Sequence, residues 1–344
     1  MMIDANVYWF PEAVFEDEKL LSRFLADIPR GHHTVGRVVE HESGKEIVIE
    51  RPEGCPGVNY AQGEYVLEKQ LSDLDAAGID KAVMKVPCCQ EWLGLEMAQL
   101  FNDGMADFAR RSGGRLVPLA VIPPFSGGAG LAELRRCHDE LGMKGVQMSA
   151  HYGDLYLDDP AFAPLFEQLE AYQMTVYVHH TPVPVDADSL LAYNNLRRSY
   201  GRCVDQMTAV CREMMSGMFD KYPHVKLVHS MLGGGFFAYK DMLIQPGKAK
   251  NDTVKRFDDN SEAMNRYYAN NIFFETSHSQ PWGKNALECA VKVLGADHIV
   301  YGSSYPVRME WLTGGADFVR ALDITEEEKA LILGGNAQRL YGIA

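Results

Sequence analysis

The chain has 344 residues, of which 47% are hydrophobic, 23% charged and 10% aromatic. These proportions are those of globular domains, so they exclude a disordered, collagen-like or coiled-coil chain. The 33 basic and 47 acidic residues give a formal net charge of −14. Because no run of lysines and arginines interrupts this negative charge, we expect no nucleic acid among the partners.

The cysteines and the N-terminus predict a cytoplasmic protein. The seven cysteines are scattered and form no Cys-x-x-Cys pair, so we expect free thiols in a reducing compartment. Residues 1–12 contain two acids and no basic residue, which is unlike a signal peptide. The longest apolar stretches have the length of a strand and are too short for a spanning helix, so we expect no membrane contact.

The first predicted elements are a strand at residues 2–10 and an amphipathic helix over 17–28. An insertion at about residues 30–60 follows them. Within it, two runs rich in valine and isoleucine flank Ser43-Gly44, which is typical of a β-hairpin.

The remaining sequence alternates between helices and strands. A helix is predicted over 66–78, where Gly78 is a usual residue at a helix end, and a strand at 80–87 follows it. A later helix has a clear start, with two aspartates immediately before Pro160. Six further strands are predicted at 115–124, 144–151, 174–182, 225–232, 271–277 and 298–306.

Eight strand–helix units predict an α/β fold, a (β/α)8 TIM barrel that forms one domain over residues 1–344 with a small β-hairpin insertion after the first strand. The chemistry of such a barrel lies at the C-terminal ends of its strands. A doubly wound open sheet is the alternative, but no Gly-x-Gly-x-x-Gly motif follows the first strand.

Lys85 is the most unusual residue at a predicted strand end, because it stands inside the apolar run AVMKVP. An unpaired ammonium there would be costly or would lose its proton. Lys85 is therefore a structural residue that pairs with an acid such as Glu275 or extends to the rim, an anchor for a substrate carboxylate, or a base with a lowered pKa.

His179 and His180 end the fifth strand, and their side chains should point to opposite sides of it. We expect at least one of them to be functional, because this position is the active-site rim of a barrel. The other candidate residues at strand ends are Asn6, Tyr8, His229, Glu275, Ser304 and Arg308.

Several segments together resemble one family. They are residues 2–4, 71–83, 145–181, 215–235, 295–306 and 333–343. They resemble the amidohydrolase-related family (amidohydrolase 2), and the similarity runs essentially from end to end. This family includes α-amino-β-carboxymuconate-ε-semialdehyde decarboxylase and the γ-resorcylate and 5-carboxyvanillate decarboxylases. The resemblance implies a TIM barrel of the metal-dependent hydrolase type, but one barrel hosts many reactions.

The resemblance also shows which metal-ligand positions are replaced. The family's first strand carries His-x-His, and Asn6 and Tyr8 stand at those positions here. His179 matches the fifth-strand ligand, and Ser304 replaces the eighth-strand aspartate. His229 lies two or three residues before the family's sixth-strand histidine position.

Zinc requires three or four nitrogen, sulfur or carboxylate ligands. His179 with an amide, a phenol and a hydroxyl is a poor set, so the departures from the family lead us to expect no metal and no other cofactor. The alternative is zinc held with Glu275 or His180 as substitute ligands.

We therefore expect a metal-independent lyase or hydrolase that decarboxylates, hydrolyses or hydrates a small aromatic or cyclic carboxylic acid. His179 is a candidate general acid or base, and Tyr8 and Asn6 are candidate donors to a developing oxyanion. Glu275 and Ser304 complete the expected catalytic set. The expected substrate-binding residues are Lys85, His180, His229 and Arg308.

Two alternatives stay open. One is a catalytically inactive barrel that binds a small molecule or a protein, and the other is a metal-dependent decarboxylase or hydrolase with unusual ligands. The resemblance further implies a homo-oligomer.

Overall fold

The computed structural model of the protein describes residues 1–244 and 261–344. Eight parallel strands surround one axis in the order of the sequence, and the third is broken at Leu119. The strands are Ile3–Tyr8, Lys81–Lys85, Leu116–Pro118 continued by Ala120–Val121, Gly145–Ser149, Thr175–His179, Lys226–His229, Ile272–Glu275 and Ile299–Val300.

Backbone contacts join the strands into a ring. The break in the third strand is spanned by the N–H of Leu119, which donates to the carbonyl of Met84 at 2.9 Å. The first strand meets the eighth where the N–H of Ala5 donates to the carbonyl of Tyr301 at 2.8 Å, and a parallel bridge joins Val7 to Tyr305. The prediction of a (β/α)8 barrel is therefore confirmed.

Helices cover the outside of the ring, as a parallel sheet that is buried on both faces requires. The long helices are Glu18–Asp27, Leu67–Ala76, Leu95–Arg111, Gly127–Asp139, Ala163–Tyr172, Arg202–Met215, Ser261–Asn271, Lys284–Leu294 and Met309–Arg320. The shorter ones are Ala13–Glu16, Met218–Lys221, Met231–Gly235, Lys240–Leu243, Ser279–Trp282, Glu326–Ala330 and Asn336–Tyr341. None of the helices in the described ranges is long and apolar enough to cross a membrane.

Two helix boundaries predicted from the sequence, at Pro160 and Gly78, are formed by the residues that predicted them. The carboxylate of Asp159 accepts a hydrogen bond of 2.9 Å from the N–H of Ala161 and caps the turn that begins at Pro160. Gly78 has φ +67°, a left-handed conformation that favours glycine just after a helix.

The inside of the barrel is filled by an apolar cluster of its own. Ile3, Ala5, Val83, Tyr177 and Val228 are among its members, and side chains of the last helix close one end of it. Because these apolar side chains fill the interior of the barrel, the polar residues at the end of the fifth strand lie above a packed core and not in a pore.

The insertion after the first strand is a three-stranded antiparallel sheet, which we call the outer sheet: Val35–His41, Gly44–Glu50 and Pro56–Ala61. The predicted hairpin is present, with His41 opposite Gly44. Its third strand was not predicted, because the Pro-Gly pair at its start weakens a strand signal. Aromatic contacts join the outer sheet to the barrel, with Tyr60 stacked on Phe10 at 4.5 Å.

Candidate active site

A hydrogen bond between the first and fifth strands occupies the centre of the barrel mouth. The hydroxyl of Tyr8 lies 2.9 Å from Nε2 of His179. Nδ1 of His179 lies 2.6 Å from the carbonyl of His180, which can only accept, so Nδ1 carries the proton and Tyr8 donates to Nε2. Burial and the charge of Lys85 lower the pKa of His179 to about 3, so this imidazole is neutral at pH 7.

The carboxylate of Glu275, at the end of the seventh strand, is held by donors from three strand ends. Its Oε2 accepts from the hydroxyl of Tyr177 at 2.6 Å, from Oγ of Ser277 at 2.7 Å and from the amide of Asn6 at 3.2 Å. The N–H of Ser277 donates to Oε1. A glycine is required at 302, because a Cβ there would lie 1.9 Å from Oε1. Glu275 is therefore fixed in one orientation.

Asn6 connects this carboxylate to the eighth strand. Its amide nitrogen also donates to Oγ of Ser304 at 3.0 Å, and its buried Oδ1 has no hydrogen-bond partner among the described residues. Ser304 has φ +62°, in the left-handed region that a residue other than glycine seldom adopts. Three of the residues predicted to be catalytic, Asn6, Glu275 and Ser304, thus lie together.

Lys85 is fully buried beside them. Its Nζ donates to the carbonyl of Ala5 at 3.2 Å and lies 3.8 Å from the ring centre of Tyr177, a cation–π distance. Burial lowers the pKa of Lys85 to about 7, and the carboxylates of Glu275 and Asp4 oppose that shift. Lys85 forms no ion pair within residues 1–244 and 261–344. The expected ion pair with Glu275 is therefore not formed, and Glu275 attracts the ammonium only from a longer distance.

Cys88, His179 and His180 form a cluster of possible metal ligands. One ligand atom from each lies within 4.8 Å of the other two. Sγ of Cys88 lies 4.0 Å from Nε2 of His180, whose Nδ1 is buried without a hydrogen-bond partner among the described residues. One sulfur and two imidazole nitrogens are a donor set typical of zinc, whereas manganese prefers oxygen ligands.

His229 and Arg308 are not part of this arrangement. His229 points away from the barrel axis, and its Nε2 lies 2.7 Å from the buried carboxylate of Glu213 on the helix Arg202–Met215. Its Nδ1 lies 3.1 Å from Oε1 of Gln206 on the same helix. Arg308 is exposed at the rim, where its guanidinium lies over the ring of Trp311.

Three residues near the site had no predicted role. Gln90 follows the second strand, and its amide donates to Oγ of Ser149 at 3.0 Å beside the ring of His179. Arg202 begins a helix 23 residues after the fifth strand, and its charge influences the pKa values of His179, His180 and His278. His278 follows the seventh strand, and its position at a strand end was the one available signal.

The chain is similar in sequence to proteins that are named decarboxylases. It is 27% identical over 252 residues to 2-amino-3-carboxymuconate-6-semialdehyde decarboxylase of Dictyostelium discoideum, which covers 72% of this chain and 67% of that protein. It is 28% identical over 257 residues to γ-resorcylate decarboxylase of Polaromonas sp., covering 72% of this chain and 76% of the relative. These matches confirm the expectation of an amidohydrolase-related lyase or hydrolase.

Solved structures share the fold over nearly the whole chain. The 5-carboxyvanillate decarboxylase of Sphingomonas paucimobilis superposes with a TM-score of 0.73 at 22% identity, covering 100% of this chain and 99% of that one. The dihydroxybenzoic acid decarboxylase of Polaromonas sp., crystallised with bound manganese, gives a TM-score of 0.69 at 18% identity and covers 99% and 96% of the two chains.

The prediction of no metal and no cofactor is wrong. A protein of the same fold binds manganese, and the described part of this chain contains the ligand cluster Cys88, His179 and His180. The sequence argument considered the positions that the resemblance supplied, with Glu275 or His180 as substitute ligands. It therefore found Asn6, Tyr8 and Ser304 unsuitable, and it did not consider a thiol from the end of the second strand.

A family model described as amidohydrolase matches residues 67–343, which is most of the chain. The match extends from the helix before the second strand to the last helix, and so includes the second to eighth strands of the barrel. Together with the strand order and the residues at the strand ends, it shows that the chain belongs to the amidohydrolase family.

Proposed function

We propose that this protein is a decarboxylase of small aromatic carboxylic acids. The observation that carries the proposal is Lys85, a buried ammonium whose pKa of about 7 allows it to hold or release a proton near neutral pH. The activities named for the relatives support the same reaction class. They also favour an enzyme over a catalytically inactive barrel.

Decarboxylation of an aromatic acid needs a proton donor at the ring. A proton adds to the carbon that bears the carboxylate, the bond to the carboxylate breaks, and its electron pair returns to the ring as carbon dioxide leaves. Burial raises the pKa of Tyr8 well above 10, and His179 is neutral at pH 7. Lys85 is the group of this set that is both protonated and acidic at neutral pH, so we assign it the proton.

The same ammonium attracts the carboxylate of the substrate. In a buried site an ammonium and a carboxylate stabilise each other more strongly than in water. Tyr8 and Asn6 lie at the same strand end, and a substrate oxygen that accepts from either as negative charge develops would replace the acceptor that each has now, His179 for Tyr8 and Glu275 or Ser304 for Asn6. Glu275 orients Asn6 through the hydrogen bond of 3.2 Å.

The residues present fit a metal ion through Cys88, His179 and His180. His180 supports this fit because its Nδ1 is buried without a hydrogen-bond partner in the described ranges. Of the nitrogens of His179, only Nε2 carries a lone pair, and a metal ion bound there would replace the hydrogen bond from Tyr8. A bound metal ion would act as a Lewis acid toward a substrate oxygen. Burial raises the pKa of the Cys88 thiol, so the thiol is protonated in the metal-free protein. A metal ion binds the thiolate, and this proton must therefore leave when a metal binds.

The reaction is tested with 2,6-dihydroxybenzoate and 5-carboxyvanillate in deuterium oxide, on protein loaded with zinc or with manganese. We expect carbon dioxide and a product with one deuterium at the carbon that lost the carboxylate. Lys85→Met should abolish both, whereas Lys292→Met, at an exposed lysine, should change neither. Turnover of Lys85→Met at the parent rate would remove Lys85 from the mechanism.

Metal binding is tested separately from activity. Cobalt added to the metal-free protein should give a thiolate charge-transfer band, and Cys88→Ser should lose it. Cys289→Ser is the matched control, because Cys289 is an exposed free thiol. A band that survives in Cys88→Ser, or a parent protein that binds no cobalt and no zinc, would refute this ligand set.

Location in the cytoplasm and assembly into a homo-oligomer stay predictions. Gel filtration with light scattering measures the second directly.

A further inference from the structure

A cavity of about 350 Å³ lies on the outside of the barrel, between the segment that follows the first strand and the helices that cover it. It is lined by residues of the segments 9–13 and 65–68 and of the helix Leu95–Arg111. No residue of the candidate active site lines it. Its volume is in the range of cavities that bind small molecules, so it has room for a ligand of its own.

Three aromatic side chains form the apolar walls of this cavity. They belong to Trp9, Tyr65 and Phe108, and each is less than a tenth exposed. The ring centres of Trp9 and Phe108 are 5.6 Å apart. Gly104 lets the indole approach the helix closely, because a Cβ at this position would lie 2.3 Å from Cη2 of Trp9. The aromatic wall is therefore packed in place before any ligand binds.

The indole N–H of Trp9 makes no hydrogen bond in the described part of the chain, although the side chain is only 5% exposed. A buried tryptophan usually has a partner for this group. The N–H can only donate. A ligand in the cavity that offers an acceptor would therefore supply the bond that the protein does not.

The charges around the cavity favour a cation. Its charged lining residues are Glu12, Glu68, Asp107 and Arg111, three acids and one base. Asp107 pairs with Arg111, with Oδ2 and Nη1 3.6 Å apart. Glu12 and Glu68 form no ion pair within residues 1–244 and 261–344. Two carboxylates without a counter-charge therefore face the space beside the aromatic walls.

Glu12 is the better placed of the two carboxylates, because the backbone fixes it. Both of its oxygens lie 3.0 Å from the N–H of Gly63, which donates to them, and a carboxylate has further lone pairs to offer. Burial raises the pKa of Glu12, and the charges of Glu16 and Glu64 raise it further. A cation bound beside Glu12 would offset both effects.

We propose that this cavity binds a small amine whose aromatic body carries one hydrogen-bond acceptor. The ammonium lies beside the carboxylate of Glu12, and the acceptor receives the indole N–H of Trp9. The aromatic walls attract the ammonium as well as the ring. The inference is independent of the proposed decarboxylation, because the aromatic acids of that reaction are anions, which the glutamates repel.

The test compares three probes by calorimetry at pH 7. Tyramine has an ammonium and a phenol, 4-ethylphenol lacks the ammonium, and phenethylamine lacks the phenol. We expect tyramine to bind at least about tenfold more tightly than 4-ethylphenol and about threefold more tightly than phenethylamine, because a hydrogen bond to a charged group contributes more than a neutral one.

Glu12→Gln removes the charge and keeps an acceptor for the N–H of Gly63. It should lower the affinity for tyramine to that for 4-ethylphenol and leave 4-ethylphenol binding within about twofold. Glu18→Gln, at an exposed glutamate of the neighbouring helix, is the matched control and should bind all three probes as the parent does. Should Glu12→Gln fail to fold, Glu68→Gln at an exposed side chain tests the same charge and should weaken tyramine binding alone, by about threefold.

Trp9→Phe locates the bound amine. Tyramine should change the tryptophan fluorescence of the parent, and Trp9→Phe should lose both this change and the advantage of tyramine over phenethylamine. Trp311→Phe, at the rim beside Arg308, should keep both. A parent that binds tyramine no more tightly than 4-ethylphenol would overturn the proposal, as would a folded Glu12→Gln with the parent affinity. Displacement of tyramine by 2,6-dihydroxybenzoate would place the amine at the barrel mouth and overturn it too.

Discussion

The Nε2 atom of His179 accepts a hydrogen bond of 2.9 Å from the hydroxyl of Tyr8, while its Nδ1 donates to the carbonyl of His180. The two bonds together fix one tautomer and one orientation of the imidazole. Tyr8 stands at a position where the resemblance implies a histidine ligand. The first strand of this barrel therefore presents a phenolic donor to an imidazole for which the resemblance implies metal binding.

Tyr8→Phe removes this donor. We expect the catalytic rate to fall by roughly tenfold to a hundredfold, because a positioned donor is lost from a buried site, and the free energy of unfolding to fall by about 1 kcal/mol. The pKa of His179 should rise, since the lost bond stabilised the neutral ring. Nitrogen chemical shifts of His179 in the metal-free protein measure this change. Tyr193→Phe, at a tyrosine that is 61% exposed, is the control, and an unchanged rate in Tyr8→Phe would contradict the role.

Lys85→Met should stabilise the protein at low pH. The folded-state pKa of about 7 lies below the usual 10.5, so below pH 7 both states are protonated and the whole burial cost is present. Between about pH 7 and 10.5 the unfolded state binds more protons, and stability rises with pH. The variant should therefore gain about 2–4 kcal/mol at pH 6 and progressively less toward pH 10.

Denaturant unfolding of the parent and the variant at pH 6, 8 and 10 measures this difference, with the exposed Lys292→Met as control. Loss of stability in Lys85→Met at pH 6 would show that the attraction to Glu275 and Asp4 outweighs the cost of burying the ammonium. Lys85 would then have a structural role.

His229→Ala should affect stability and not substrate binding. It leaves the fully buried carboxylate of Glu213 without its partner, and breaking such a pair costs about 3–5 kcal/mol. Burial already raises the pKa of Glu213, so the orphaned group should take up a proton. Calorimetric titration with benzoate should give the parent affinity at a temperature where the variant is folded. A large loss of affinity with unchanged melting would return His229 to the substrate-binding set.

Much of the fold follows from the sequence because barrel strands and their helices carry strong local signals. Asp159 caps the helical turn that begins at Pro160, and Gly78 ends the helix before it. Both effects are local to a helix end and need no contact with a distant segment. The third strand of the outer sheet could not be found in this way. It forms by pairing with Gly44–Glu50, and such pairing overrides the weak propensity of its first residues.

The site was predicted less completely because its geometry departs from regular alternation. Ile3 and Ala5 face the barrel interior, and yet Asn6 and Tyr8 also reach the site, because the register shifts between Asp4 and Val7. His229 is the converse case. Its neighbour Val228 belongs to the interior cluster, so alternation alone directs His229 outward.

Arg202 could not be predicted from any local pattern. It comes after a loop and an irregular helical turn, Leu196–Gly201, and only the packing of its helix returns it to the barrel mouth. Gly234 makes that packing possible, because a Cβ there would lie 1.7 Å from the carbonyl of Cys203. Such a contact between segments distant in sequence leaves no periodic signal.

The outer sheet is attached to this same segment through two of its carbonyls. That of Arg51 accepts from Nη1 of Arg197 at 2.7 Å, and that of Gly57 accepts from Arg198. Arg202 is one helical turn further along. The insertion can therefore change in length or sequence during evolution while the eight strands stay as they are, and each change would shift Arg202 relative to the barrel mouth. Related chains that differ in this insertion should then differ first in which acids they accept, and only secondarily in what they do to them.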